Sequence, residues 1–145
     1  MNRRSFLQRS LPLALGPLAV LHARPAHASS EVLVIGHPGV PKVDAATLQR
    51  LYTGRAIQIG EQPVTVVNAP PGAPSRDRFL ASFVQMDEER YRAYWTVRRH
   101  VGKGVPPREL GSAAEIIEFV TRTPGAVGYI DAAAQRPGLN IIARG

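Results

Sequence analysis

The run from Val64 to Val84 narrows the fold of this sequence most. Val64-Thr65-Val66-Val67 reads as a strand, being apolar and rich in β-branched residues. Pro70-Pro71-Gly72-Ala73-Pro74 then forces a tight turn, because proline fixes φ and Gly72 can take φ > 0. A helix with apolar positions at Phe79, Leu80, Phe83 and Val84 follows, with Ser75 as its expected N-cap. A strand, a rigid turn and a helix make a βα junction, which requires a sheet with helices packed on it. Such a junction also points backbone N–H groups at an anion, and Arg76 adds a forked set of charged donors. Gly72, Ala73, Ser75 and Arg76 are therefore candidate ligand-binding residues. The same stretch also reads as an ordinary connector, and spacing alone leaves both readings open.

The rest of the chain repeats this alternation. Val32-Leu33-Val34-Ile35 is a continuous apolar run, as a strand buried on both faces requires. It ends in Gly36-His37-Pro38-Gly39. His37 is a further candidate there, since open α/β sheets bind ligands near the carboxyl ends of strands. Asp44 is placed to cap a helix carrying Leu48, Leu51 and Tyr52, and a short strand is expected within 56–59. Asp87 caps a third helix, with Tyr91, Tyr94, Trp95 and Val101 toward one side and Arg90, Arg92, Arg98, Arg99 and His100 over much of the rest. Ser112-Ala113-Ala114-Glu115 is a capping box opening a helix with Ala113, Ile116, Ile117 and Val120 on one face. Thr123-Pro124-Gly125 stops it, and 126–130 and 139–142 read as final strands. The class is α/β with a mostly parallel or mixed sheet flanked by helices. Roughly 115 residues suffice to bury about two-thirds of the unfolded surface, so one domain is expected over 29–145.

The net charge of +7 suggests a nucleic-acid partner until its distribution is considered. Four of the 18 basic residues lie before Ser29 and none of the 11 acidic residues does, so only +3 of the +7 remains beyond that point. No nucleic-acid partner is expected. Those early arginines belong to an expected export signal over 1–28. Arg3-Arg4-Ser5-Phe6-Leu7 fits a twin-arginine pattern, a short apolar run broken by Pro12, Gly16 and Pro17 follows, and Ala26-His27-Ala28 fits a cleavage site. A general secretory route remains open. The run is too short to span a bilayer, so a periplasmic or otherwise exported protein, not membrane-spanning after cleavage, is expected. His22 and His27 leave with the signal.

Catalytic and metal chemistry finds little support. There is no cysteine, and His37 and His100 are far apart with no ligand ladder. No nucleophile elbow surrounds Ser75, and Asp87, Glu88 and Glu89 are explained by the helix dipole. No catalytic residue, metal or cofactor is expected, and the chain reads as a non-enzyme.

Three motifs in order carry a resemblance: Leu48-x-x-Leu51-Tyr52-x-Gly54, then Gly72-Ala73-Pro74-Ser75-Arg76-x-x-Phe79, then Thr123-Pro124-Gly125-Ala126-Val127-Gly128-Tyr129-Ile130. Together they resemble the phosphate-type substrate-binding proteins of ABC transporters, most closely small single-domain exported members. The resemblance implies a single lobe of a type II periplasmic-binding-protein-like fold. It implies phosphate or another small anion as ligand, held around Gly72, Ala73, Ser75 and Arg76, with a membrane transporter or sensor as partner. Where the full-size relatives place an Arg and an Asp before the turn, this chain has Ala69, Pro70 and Pro71, and Pro74 offers no N–H. A second reading follows from those departures: a periplasmic protein-interaction module whose ligand loop is vestigial.

Overall fold

The computed structural model describes residues 31–145; the expected export signal lies outside the described residues. β1 (Val32–Gly36), β4 (Thr65–Asn68), β5 (Arg108–Glu109), β6 (Ala126–Asp131) and β7 (Asn140–Arg144) form one sheet in the order β5-β4-β6-β1-β7. β4 runs parallel to β5 and β6, whereas β1 runs antiparallel to β6 and β7, so the sheet is mixed as expected. β2 (Gln58–Ile59) and β3 (Gln62–Pro63) form a separate small hairpin. The helices are α1 (Ala45–Tyr52), α2 (Pro74–Phe79), α3 (Glu88–His100) and α4 (Ala113–Arg122).

The core forms because the central strands are apolar on both faces. All five residues of β1 and the first five of β6 are buried. Consecutive side chains of a strand point to opposite faces, which places the helices. Tyr129 of β6 stacks on Phe79 of α2 at 4.0 Å. At the preceding position α4 approaches so closely that a Cβ on Gly128 would lie 2.7 Å from Ile116 Cγ2. α2 and α4 thus cover opposite faces, and the α4 side requires a residue without a side chain at 128.

Three helix starts follow the sequence reading. Asp44 accepts from the Thr47 N–H at 2.8 Å, Asp87 from Arg90 at 2.8 Å, and Ser112 from Glu115 at 3.2 Å. Thr123 ends α4. The hydrogen bonds to Asp44 hold its carboxyl below the usual carboxylate range.

Several expectations are corrected. Ser75 does not cap α2: Ala73 is the N-cap residue and Pro74 opens the helix, since proline's fixed φ suits the first helical position. The helix beyond Phe79 widens into a π-turn over Leu80–Val84, which ends at Gln85 with φ 60°. Its apolar residues Leu80, Phe83 and Val84 are buried as anticipated. On α3, Tyr91 and Trp95 are core, but Val101 lies past the last turn and is exposed.

Candidate functional site

The loop between β4 and α2 is fastened from within. Ala73 N–H donates to Pro70 O at 3.1 Å, closing a turn in which Gly72 takes φ +86° and projects into open space. Arg76 folds back beneath it. Its Nη1 donates to Ala69 O at 2.9 Å and to Glu109 Oε1 at 3.0 Å. Its Nε and Nη2 make a two-pronged pair with Glu88 at 2.7 and 3.0 Å. These bonds use four of the five N–H donors of a residue that is 2% exposed. Burial alone would weaken its charged form, but the bonds to Glu88 and Glu109 outweigh that and raise its pKa further. Arg76 therefore ties the loop to the start of α3 and to β5, rather than presenting a free fork to solvent.

A buried polar chain continues from this anchor. Tyr129 donates to Asn68 Oδ1 at 3.0 Å and accepts from the Ala69 N–H at 3.0 Å. Asn68 Nδ2 donates to Tyr91 at 3.3 Å, and Tyr91 donates to Tyr52 O at 2.9 Å. Tyr52 in turn donates to Val67 O at 2.9 Å. Each hydroxyl is paired, as burial demands. Burial is the main reason all three tyrosine hydroxyls are pushed above their ordinary value.

At the carboxyl ends of β4 and β6 lies a cavity of about 210 Å³. Ala73 and Ser75 line it from the loop, and Ser112 and Ala113 from the start of α4. Ser75 is 9% exposed. The first N–H groups of α4 have no partner within the helix. Asp131 also borders the cavity, paired with Arg78. Glu115, the acidic member of the capping box, reaches Gly111 N–H at 2.7 Å. The donors facing this cavity are thus mostly neutral, and Asp131, the charged residue that lines it, is paired with Arg78.

Ala73 and Ser75 meet in this cavity, with Gly72 at the exposed tip of the same loop. His37 does not join them. Its N–H bonds Ala126 O at 2.9 Å, and Ala126 pairs with Thr65 at the opposite end of the sheet from Asn68. The correction follows from strand direction: β1 runs against β4 and β6, so its carboxyl end is their amino end. Ser112 and Ala113 were legible as a helix start but not as neighbours of Ser75. Glu88 and Glu109 carried no sequence signal as partners of Arg76.

Among the described residues, no His, Cys, Asp and Glu cluster could hold a metal ion, and no helix is long and apolar enough to cross a membrane. No protein-family model matches the sequence, and no curated protein matches it. Solved structures match in fold. A protein from Clostridium perfringens, assigned as a phosphate ABC transporter substrate-binding protein and holding phosphate, aligns with TM-score 0.59 at 18% identity, over 77% of this chain and 43% of that one. An ABC-type phosphate transport receptor from Vibrio cholerae aligns with TM-score 0.58 at 14% identity, over 77% and 44%. PstS from Borrelia burgdorferi aligns with TM-score 0.56 at 16% identity, over 77% and 46%. The chain spans less than half the length of these proteins. In fold, though not by any sequence match, it resembles the phosphate-type substrate-binding proteins of ABC transporters.

Proposed function

We propose that the chain is an exported, non-enzymatic solute-binding protein that takes a small oxyanion such as phosphate and serves a transporter or a sensor. The observation that carries this is the position of Ser75, a residue only 9% exposed, in the cavity shared with the start of α4. The fold likeness supports the choice of ligand class. Recognition rests on neutral donors, the Ser75 hydroxyl and free N–H groups of the loop and of α4. Arg76 acts behind them by holding the loop in shape. Pro70, Pro71 and Pro74 contribute no N–H, and Asp131 opposes an anion, so binding is weak, about millimolar. Titration calorimetry at low salt with phosphate and sulfate tests the proposal. A saturable heat is expected, with Ser75→Ala about tenfold weaker. No binding of either anion, or an unchanged Ser75→Ala, overturns it.

A second reading, a protein-interaction module with a vestigial ligand loop, is favoured by a different observation. Val97 in the last turn of α3 and Val101 just past its end lie four residues apart, and both are more than half exposed, as is Val105 beyond them. Self-association or a stable complex with a membrane component, lost in Val97→Ser/Val101→Ser, is its expected result. A strictly monomeric protein that responds to anions argues against it.

A further inference from the structure

A second cavity, about 260 Å³, opens toward α3. Asn68 and Arg76 line it, whereas their neighbours Ala69 and Ser75 line the first, so the chain from β4 into α2 is a wall between the two. Tyr91 and Trp95 give the second cavity an aromatic surface, and α3 also brings in Arg92 and Arg99. Seven residues apart, these two lie on one side of the helix, about 10 Å from each other along its axis.

The isolation of those two guanidiniums carries the argument. Glu88, four residues before Arg92, is the ordinary helical partner for it. It is bonded to Arg76 instead. Glu109, the carboxylate that lines the cavity, is bonded to Arg76 as well. Among the described residues neither Arg92 nor Arg99 has an ion-pair partner. Arg76 thus holds both acids, and with Arg76, Arg92 and Arg99 set against Glu88 and Glu109 the cavity keeps a net charge of +1, with the Arg92 and Arg99 heads free of direct ion pairs among the described residues. Trp95 lines the same cavity, is 5% exposed, and its indole N–H, near the Tyr91 hydroxyl, has no acceptor at full hydrogen-bond geometry among the described residues. The lining then separates ligand classes, because Tyr91 and Trp95 offer the body of an organic anion an aromatic wall that an inorganic oxyanion would not use. The volume is just below the range of about 300–1,000 Å³ typical of organic-ligand sites.

We propose that this cavity binds a small organic anion, a carboxylate or phosphate ester whose planar or apolar body lies against Trp95 while Arg92 and Arg99 hold its charged group. The inference does not rest on the oxyanion reading of the Ser75 cavity. Trp95 is the one tryptophan in the sequence, so its fluorescence reports on this cavity directly. The experiment titrates the protein with benzoate, succinate, phenyl phosphate and inorganic phosphate. A saturable change with benzoate or succinate identifies a carboxylate, and one with phenyl phosphate alone a phosphate ester; inorganic phosphate leaves Trp95 unmoved. Arg92→Gln and Arg99→Gln, both at exposed positions that folding tolerates, each weaken binding about tenfold, while Ser75→Ala does not. The proposal is overturned if no organic anion gives a saturable change, if inorganic phosphate gives an equal one, or if the double Arg92→Gln/Arg99→Gln variant binds as well as the unaltered protein.

Discussion

The two ends of α3 each handle a sequestered guanidinium, and they do it by different means. At the first turn, Arg76 is met by two carboxylates and a carbonyl, with the Tyr91 ring at 5.7 Å. In the last turn, Arg98 is met by no carboxylate. Its Nη2 donates to Gly54 O at 3.1 Å and to Lys103 O at 3.0 Å, its head lies 5.7 Å from the Tyr94 and Trp95 rings, and its buried Nε has no acceptor among the described residues. Carbonyl dipoles and aromatic faces attract a cation more weakly than a carboxylate does. Arg76 is therefore a lock joining the loop, α3 and β5, whereas Arg98 is a clip between the end of α3 and the turn after α1.

Removing the lock should cost most. Arg76→Ala is expected to lower stability by about 3 kcal/mol, because breaking a buried pair strands its partners without compensation. The cost stays at the low end of that class because the Glu88 and Glu109 side chains are 24% and 48% exposed and can take up water. Urea denaturation measures it as a shift in midpoint at unchanged slope. A loss below about 1 kcal/mol would reduce the network to the worth of a surface pair and dissolve the contrast between the two ends.

Arg98→Ala is expected to cost less, about 1–2 kcal/mol from two hydrogen bonds and two cation–π contacts, since no carboxylate is stranded. The same denaturation experiment checks it, and a cost equal to that of Arg76→Ala would break the comparison.

Neither arginine's role was legible in the sequence, for one physical reason: what decides it is distant along the chain. Glu88 and Glu109 stand 12 and 33 positions from Arg76, and Gly54 stands 44 from Arg98. Read locally, Arg76 is a ligand residue and Arg98 part of a solvated helix end. What local chemistry determines did come through. Asp44, Asp87 and Ser112 cap helices because a side chain three residues away satisfies the first turn. The apolar run of β1 reads as buried on both faces, and it is. β5 escaped notice because it is two exposed, charged residues held in the sheet only by pairing with β4. In the candidate site, the loop was legible as a turn. Its meeting with the start of α4 depends on β4, β5 and β6 being adjacent and parallel, which no single stretch encodes.

The smallest expected effect separates the two ends by pH. Tyr52, Tyr91 and Tyr129 form the polar chain beside Arg76, and burial raises each hydroxyl above its ordinary value. A raised folded pKa means that the native state holds protons the unfolded chain releases. The stability these groups contribute is intact below about pH 10 and is lost as pH rises beyond it. At pH 10 each tyrosine is half ionised in the unfolded chain and less ionised in the folded one, which is worth at most about 0.4 kcal/mol each, so the three together should cost up to about 1 kcal/mol relative to pH 8. Denaturation at the two pH values reads this difference. Tyr91→Phe should shrink it, by at most about a third, whatever that substitution costs at pH 8. Arg98→Ala should leave it unchanged, because Arg98 packs on Tyr94 and Trp95 and touches none of the three. An alkaline loss that followed Arg98 instead would place the proton-sensitive part of the core at the wrong end of α3.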